Sequence, residues 1–266
     1  MERQIQLMIY KKNSFKIIII SLLMLLILFI SHPAAASNIE TKYICIGTDF
    51  EIPVYIMKTE TKKPVIMIIA GTHGNEPAGI VAVNYLKDNQ DIKKGTLLMI
   101  PNANILACKN EVRSFPKDIN LNRVYPGNKQ GNSVEKIAYE IFNLMINYDI
   151  DFLIDLHESR EFYKVNSQNY GQTLVLDCYD DSLLEMCLSI TDELNEEIIN
   201  PKEEFEVLIK PIEGCATYTA SCQLSIPAIT FETCKKLPLS KRIKKQLQFT
   251  KTVLFKYSLL TEEDID

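Results

Sequence analysis

The feature that most constrains the fold is an alternation of continuous apolar runs of strand length with helix-like segments. The run Val65–Ala70 contains only apolar residues, which suits a strand buried on both faces of a sheet. Strands that alternate with helices predict an α/β layer fold. The predicted strands are Glu51–Met57, Val65–Ala70, Thr96–Ile100, Asp151–Leu156, Thr173–Asp177, Glu206–Ile209 and Ala228–Phe231, and the predicted helices are Pro77–Lys87, Ser133–Asn147, Ser182–Glu197 and Ser240–Tyr257.

The first 36 residues have the layout of a secretory signal peptide. Basic residues precede the apolar run Ile17–Ile30, and Ala34–Ala36 follow as a small-residue cleavage pattern. The run is shorter than the roughly 20 residues needed to span a bilayer. We therefore predict a signal peptide over residues 1–36, a single domain over residues 37–266, and a secreted or cell-envelope protein. An uncleaved membrane anchor is the alternative.

Charge and cysteine content restrict the partners and the kind of metal site. Without the first 36 residues the net charge is about −8, because four of the 29 basic residues and one of the 34 acidic residues are removed. An acidic chain argues against nucleic acid as a partner and against a polybasic membrane-binding face. The seven cysteines include no C-x-x-C pair, which argues against a cysteine zinc site. The sequence is compatible with two roles for these cysteines, as disulfide bonds or as buried apolar thiols.

Two histidines, His73 and His157, lie outside the first 36 residues, and each comes at the end of a predicted strand. Glu76 follows His73 by three residues, and Pro77 is suited to the first turn of the next helix. Because open α/β sheets carry their sites at the carboxyl ends of strands, the three side chains are expected to converge there. Two imidazoles and a carboxylate form a catalytic zinc site with an open position. The alternative is ordinary hydrogen-bonded histidines near the surface. Asp155 either orients His157 or simply ends the strand.

A further carboxylate follows the last predicted strand. Glu232 comes directly after Phe231 and is a candidate general base. From the residues alone, a surface glutamate at a strand end is the alternative. Glu158, next to His157, is the second candidate for the base.

Residues 101–131 interrupt the alternation with a long polar connection that contains Arg113 and Arg123. Long connections in compact domains are usually functional or disordered. This one is polar without being of low complexity, so we interpret it as an ordered substrate-binding loop. A plain surface loop is the alternative.

Taken together, these motifs resemble the M14 superfamily of zinc carboxypeptidases, and most closely its succinylglutamate desuccinylase/aspartoacylase branch. The resemblance covers roughly residues 64–233. It implies a three-layer α/β/α fold with a central mixed, mostly parallel sheet. The motifs that carry it are Gly71–Glu76 (GTHGNE), Asn120–Gly127 (NLNRVYPG), Asp155–Ser159 (DLHES) and Phe231–Thr233 (FET).

The resemblance assigns the metal ligands and the base. His73, Glu76 and His157 match the family's zinc ligands, and we expect one Zn²⁺ per chain. Glu232 matches the catalytic glutamate, which takes a proton from water at the zinc and returns it to the leaving amine. Asn120 stands where the family often has aspartate.

The resemblance also assigns the substrate contacts. Asn122 and Arg123 match the pair that holds the substrate carboxylate, which suits the planar fork of arginine. Arg113 resembles the arginine that polarises the scissile carbonyl. Tyr218 is our candidate for the family's tyrosine, with a packed aromatic residue as the alternative.

These features predict a secreted, zinc-dependent amidohydrolase that cleaves an amide bond next to a free carboxylate. A carboxypeptidase-like enzyme acting on small or cell-wall peptides is the first hypothesis, and an N-acyl amino acid deacylase is the alternative. A non-catalytic zinc- or peptide-binding module is the second alternative. The expected partner is a small peptide or an N-acyl amino acid, with no stable membrane association after signal removal.

Overall fold

The computed structural model describes residues 39–265, and its eight strands form a single sheet. The predicted signal peptide, residues 1–36, lies outside the described residues, so its cleavage stays a prediction. The strands are β1 (Ile39–Ile44), β2 (Ile52–Lys58), β3 (Val65–Ala70), β4 (Thr96–Ile100), β5 (Phe152–Ser159), β6 (Thr173–Leu176), β7 (Glu206–Ile209) and β8 (Ala228–Cys234).

Most of the helices follow strands, as the alternating pattern predicts. The α-helices are α1 (Pro77–Asn89), α2 (Ile105–Lys109), α3 (Ser133–Asn147), α4 (Asp181–Asn195), α5 (Ala216–Tyr218) and α6 (Leu239–Lys256). Shorter helical turns occur at Leu121–Arg123, Pro201–Glu203, Thr219–Gln223 and Glu262–Asp264. The start of α3 carries a capping box, in which the Asn132 and Glu135 side chains satisfy each other's backbone N–H groups.

The sheet is mixed, with parallel strands at its centre. The strand order is β1-β2-β4-β3-β5-β8-β6-β7. Strands β4, β3, β5 and β8 run parallel to one another, and β6 runs parallel to β7, whereas the β1–β2, β2–β4 and β8–β6 pairs are antiparallel. The carboxyl ends of β3, β5 and β8 therefore meet at one edge, which is where the three predicted ligands and Glu232 lie.

Helices cover both faces of this sheet. On one face, α1, α4 and α6 bury Leu86, Ile190 and Phe249 against the strands. On the other face, α3 and α5 bury Ile141 and Ala216. The predicted three-layer α/β/α architecture is thus confirmed, and the two apolar layers account for the fully buried strands at the centre of the sheet.

The structure differs from the sequence prediction at several element ends. Strand β5 continues to Ser159 and β8 continues to Cys234, so His157 and Glu232 lie within strands and not after them. Strand β1 was not predicted, because five of its six residues are exposed at the sheet edge and show no apolar pattern. The predicted long loop at residues 101–131 contains α2 and a 3₁₀ turn.

One disulfide, Cys178–Cys222, joins the segment after β6 to the turn that follows α5, with the two Cα atoms 5.6 Å apart. This separation is in the usual range for a disulfide. The other five cysteines are free thiols. Over residues 39–265, none of the helices is both long enough and apolar enough to cross a lipid bilayer.

Candidate metal and catalytic site

The first histidine sits in a tight turn between β3 and α1. Gly71 has a positive φ of +69°, and a Cβ on it would lie 2.8 Å from the carbonyl oxygen of Pro101. A Cβ on Gly74 would lie 2.0 Å from the Ala107 backbone. Only glycine avoids both the strain and the overlap. The turn therefore needs both glycines, and it carries the buried side chain of His73 to the sheet edge.

Glu76 ends this turn at the N-cap position of α1, where its side chain makes no capping hydrogen bond. Its carboxylate instead faces both histidines. Glu76 Oε1 lies 3.0 Å from His73 Nδ1, and Oε2 lies 3.1 Å from His157 Nδ1. One ligand atom from each residue lies within 4.8 Å of the others, and all three residues are buried. The structure thus brings together the three residues that the sequence predicted as ligands.

The donor set fits a zinc ion. Two imidazole nitrogens and a carboxylate are the ligands of known catalytic zinc sites. His73 Nδ1 is buried and has no aligned hydrogen-bond partner among the described residues, although Glu76 Oε1 is close to it. A buried ring nitrogen without a partner is costly unless something binds it. We infer that this nitrogen points into the space a metal would fill.

Electrostatics in the group favour an ionised carboxylate between the rings. Burial acts to raise the pKa of Glu76, but the combined effect of His73 and His157 is larger and holds that pKa well below its usual value. Burial lowers the pKa of His73, which favours the neutral ligand form. For His157, burial lowers the pKa, but Asp155 and Glu76 prevail and raise it well above its usual value. Metal binding would therefore displace a proton from His157.

A different side chain lies next to the Nε2 atom of each histidine. The Asn120 Oδ1 atom lies 3.1 Å from His73 Nε2. The Asp155 Oδ2 atom lies 3.0 Å from His157 Nε2, and Asp155 Oδ1 accepts a hydrogen bond from Thr72 at 3.3 Å. Of the two sequence-based alternatives for Asp155, the contact favours the orienting role. Asn120, in place of the aspartate that the family often has, still supplies an oxygen acceptor.

Glu232 lies beside the metal group on the neighbouring strand. Strands β5 and β8 are parallel, and their register pairs His157 with Glu232, so both side chains project on the same face. Glu232 Oε2 is shielded from solvent and has no hydrogen-bond partner in the described part of the chain. Burial raises the pKa of Glu232 to about 8. A carboxyl group with this pKa is suited to exchanging protons near neutral pH.

Glu158, the second candidate base, is engaged elsewhere. Its carboxylate pairs with Arg242 of α6 and accepts a hydrogen bond from the Ala78 N–H at 2.9 Å. It therefore holds the start of α1, and both oxygens already have partners. The geometry leaves Glu232 as the free carboxylate beside the metal group.

Cationic side chains approach the same group from the loop and from the end of β8. Arg113 Nη1 donates to Glu76 Oε1 at 3.1 Å, with half of its side chain exposed. Lys235 Nζ lies 3.9 Å from the same oxygen. A cleft of about 520 Å³ adjoins this side of the metal group, and its lining includes Arg113, Phe115 and Asn120. This cleft can admit a small substrate.

The predicted carboxylate-binding pair lies in the 3₁₀ turn at Leu121–Arg123. Asn122 is buried and its Oδ1 has no partner among residues 39–265, while its backbone N–H donates to Asn120 Oδ1 at 2.9 Å. Arg123 is exposed and donates to the backbone oxygen of Asn122. One amide oxygen of Asn120 thus contacts both the metal group and the turn that bears this pair.

Tyr218 is not tied to the metal group by any described contact. It lies in the short helix α5, half-buried, and its backbone N–H donates to Cys215 Sγ at 3.2 Å. The helix begins at the N-cap Cys215, which explains its position locally. A substrate role for Tyr218 stays a prediction.

Comparison with known proteins decides the family. Residues 62–256 match the family described as the succinylglutamate desuccinylase/aspartoacylase catalytic domain. The chain belongs to this family. The match covers every predicted metal ligand and Glu232, and it confirms the resemblance drawn from the sequence motifs. Members of the desuccinylase/aspartoacylase family are hydrolases.

Individual relatives agree with this assignment. The N-α-acetyl-L-2,4-diaminobutyric acid deacetylase of Halomonas elongata is 34% identical over 110 residues, which is 40% of this chain and 31% of that protein. The chain thus matches less than a third of the curated relative's length.

Solved structures support the fold. The cell shape determinant protein Csd4 of Helicobacter pylori superposes with a TM-score of 0.68 at 20% identity, covering 84% of this chain and 55% of Csd4. A succinylglutamate desuccinylase from Silicibacter sp. TM1040 gives a TM-score of 0.68 at 20% identity, covering 89% of this chain and 72% of that one. At these identities the likeness is one of fold.

Three polar residues of this desuccinylase/aspartoacylase domain escaped the sequence analysis. Lys235 follows Glu232 by three residues without a motif. Arg242 and Gln246 lie one turn apart on α6; Gln246 contacts the backbone of the ligand His157, and Arg242 contacts its neighbour Glu158. Gln246 carried a usable signal, since it occupies the apolar stripe formed by Phe249 and Val253. A polar residue on such a stripe indicates a buried hydrogen bond.

Proposed function

We propose that the protein is a secreted, zinc-dependent amidohydrolase that cleaves an amide bond next to a free carboxylate. The observation that carries the proposal is the placement of Glu232, a half-buried residue in register with His157 whose shielded Oε2 atom has no hydrogen-bond partner within residues 39–265 and lies beside the His73–Glu76–His157 group. A free carboxyl group next to three converging ligands is the minimum for metal-assisted hydrolysis.

Each residue has a distinct role in this proposal. His73, Glu76 and His157 hold the zinc ion. Zinc, when bound, polarises the scissile carbonyl and lowers the pKa of water. Glu232 accepts the proton of the attacking water and then donates it to the leaving amine, for which a pKa near neutrality is well matched.

The loop residues orient the substrate. Arg113, next to Glu76, is placed to hydrogen-bond the carbonyl oxygen as negative charge develops on it. Arg123 and Asn122 bind the carboxylate beside the scissile bond, which fixes the position of the substrate. Arg123 is exposed and carries no carboxylate partner within residues 39–265, so its guanidinium is available for this contact.

A carboxypeptidase-like activity on small or cell-wall peptides is the first candidate. Export by the predicted signal peptide would bring the enzyme to such peptides, and the structurally similar Csd4 is a D,L-carboxypeptidase. N-acyl amino acid deacylation is the second candidate, and the similarity to a deacetylase of an N-acetylated amino acid favours it.

A substrate panel tests the proposal and separates the candidates. Purified zinc-loaded protein is assayed on short peptides with free and amidated carboxyl ends and on N-acetyl and N-succinyl amino acids. Release of a C-terminal residue from peptides supports the first candidate, and cleavage of acyl amino acids alone supports the second. Zinc binding without turnover on any of these substrates would favour the non-catalytic binding module.

Export is tested separately. We expect the N-terminus of the secreted protein to begin near Ser37. Residues 1–36 retained in membrane-extracted protein would show an uncleaved anchor instead.

A further inference from the structure

A buried glutamine links the two strands that carry His157 and Glu232. Gln246 of α6 is fully buried among apolar residues of the helix stripe. Its Nε2 donates to the backbone oxygen of His157 at 2.9 Å and to Thr233 Oγ1 at 3.1 Å. Because a carbonyl oxygen only accepts hydrogen bonds, the amide nitrogen must be the atom that faces His157. One amide group thus bridges β5 and β8 at the metal group.

The position of this bridge matters because β5 loses a neighbour there. The register of β3 with β5 ends at the pair Ala70 and Leu156, whereas β5 continues beside β8 as far as Ser159. His157 is therefore the first residue of β5 beyond the β3 ladder. The Gln246 amide binds the backbone of that residue, where the sheet supports it on one side only.

The helix turn before Gln246 supplies a second contact to the same strand end. Arg242 pairs with Glu158, whose other carboxylate oxygen accepts from Ala78 N–H at the start of α1. The backbone N–H of Glu158 donates to Glu76 Oε2 at 3.0 Å. Helix α6 is thereby connected to two of the three ligands and to Thr233, the residue after Glu232.

The glutamine is a poor choice for stability alone. Its Oε1 is buried without a partner in the described part of the chain, and an unpaired buried oxygen destabilises the folded state. A methionine of similar length would fill the same space without that oxygen. Packing therefore does not explain why an amide side chain occupies position 246.

We propose that Gln246, supported by Arg242, is a positioning residue that holds His157 and Glu232 at the separation the metal site requires. This inference rests on the proposed metal site. Groups that orient ligands typically change metal affinity by about 10- to 100-fold when they are removed.

The test compares Gln246→Met with Thr250→Val. Thr250 is buried one turn further along α6, and its Oγ1 donates only to the Gln246 backbone oxygen, within the helix. Both variants lose one buried hydrogen-bonding side-chain group of the same helix, but only the first loses the contact to β5. The zinc dissociation constant is measured by chelator competition, and the Tm of the metal-free protein is measured alongside.

We expect Gln246→Met to weaken zinc binding by roughly 10- to 100-fold, and to alter the absorption spectrum of the cobalt-substituted protein. Thr250→Val should lower Tm without changing zinc affinity. Equal zinc affinity in the two variants overturns the proposal and assigns Gln246 to the fold alone.

A second variant, Gln246→Asn, tests the proposal if Gln246→Met does not fold. Gln246→Asn keeps a buried amide but is one methylene shorter, which withdraws it from His157; wild-type zinc affinity in this variant also overturns the proposal. Failure of the wild-type protein to bind zinc at all would contradict the proposed function, and is thus distinguishable from failure of this inference.

Discussion

The two histidines of the metal group are held by two different kinds of structure. His157 lies inside β5, beside β8, with Asp155 at its ring and Gln246 at its backbone. His73 lies in a glycine turn after β3, and the group behind its ring is Asn120, from the long connection at residues 101–131. We call these the sheet side and the loop side of the site.

The two sides of the site differ in which structural elements hold the ligand in place. On the sheet side, neighbouring strands and the buried face of α6 determine where the ligand sits. On the loop side, Asn120 contacts His73 and also caps the turn that bears Asn122 and Arg123. Movement of that turn on substrate binding would reach His73 through Asn120, whereas no hydrogen bond within residues 39–265 joins the turn to His157. The predictions below test this division, from the largest expected effect to the smallest.

Removal of either histidine should abolish metal binding. His73→Ala and His157→Ala each leave two ligands, where catalytic zinc sites use three protein ligands. We expect metal content, measured by elemental analysis, to fall below one tenth of the wild-type value, and activity to fall by more than about 100-fold, the largest loss expected from an orienting residue alone. Full zinc occupancy in the double variant would rule out the assigned ligands on both sides.

Glu232→Gln should remove proton transfer but keep the metal. The amide has the shape of the carboxyl group but cannot accept the proton, so kcat should fall by about 10²- to 10⁴-fold with unchanged zinc content. Unchanged turnover would assign the base to another group.

The same variant has a signature in the metal-free protein. Burial raises the pKa of Glu232 to about 8 in the folded state, against 4.5 for an unperturbed glutamate. The folded state therefore retains a proton that the unfolded state releases, and this group makes stability fall as pH rises from about 5 to about 8. Denaturant unfolding should show a smaller fall for Glu232→Gln than for wild type over that window.

Arg123→Ala tests the substrate function of the loop side. A charge-assisted hydrogen bond contributes about 1.5–3 kcal/mol, which corresponds to roughly tenfold to a hundredfold in kcat/KM. We expect this loss on substrates with a free carboxylate and almost none on the matching amides. Equal loss on both substrates would make Arg123 a structural residue of the loop and would end the free-carboxylate requirement.

Exchange of the groups behind the two rings should give the smallest effects, of opposite sign. Asp155→Asn replaces a carboxylate with an amide that still accepts a hydrogen bond, so zinc affinity should fall by about tenfold, the low end for such partners. Asn120→Asp should strengthen zinc binding, because a carboxylate raises the basicity of His73. Chelator competition measures both, and a gain from Asp155→Asn would contradict the division into two sides.

Much of the architecture was predictable because buried strands and helices have local patterns of apolar residues in the sequence. Strand β3 is apolar throughout and β4 is apolar after Thr96, and the helices between the strands are amphipathic, so most elements were placed within a few residues. The ligand candidates were recognisable for a similar reason. His73 follows a buried strand and His157 lies near the carboxyl end of another, and the edge of a parallel sheet collects such residues whatever the sequence distance between them.

The supporting contacts were decided by the tertiary structure alone. Gln246 meets His157 across 89 positions, and Arg242 meets Glu158 across 84. Nothing local links these residues, because their contact depends on how α6 packs across the ends of β5 and β8. The edge strand β1 was missed since its exposed residues carry no apolar pattern, and its pairing with β2 supplies its order. Local patterns thus specified the elements and the ligands, whereas packing between distant segments set the geometry that allows them to act together.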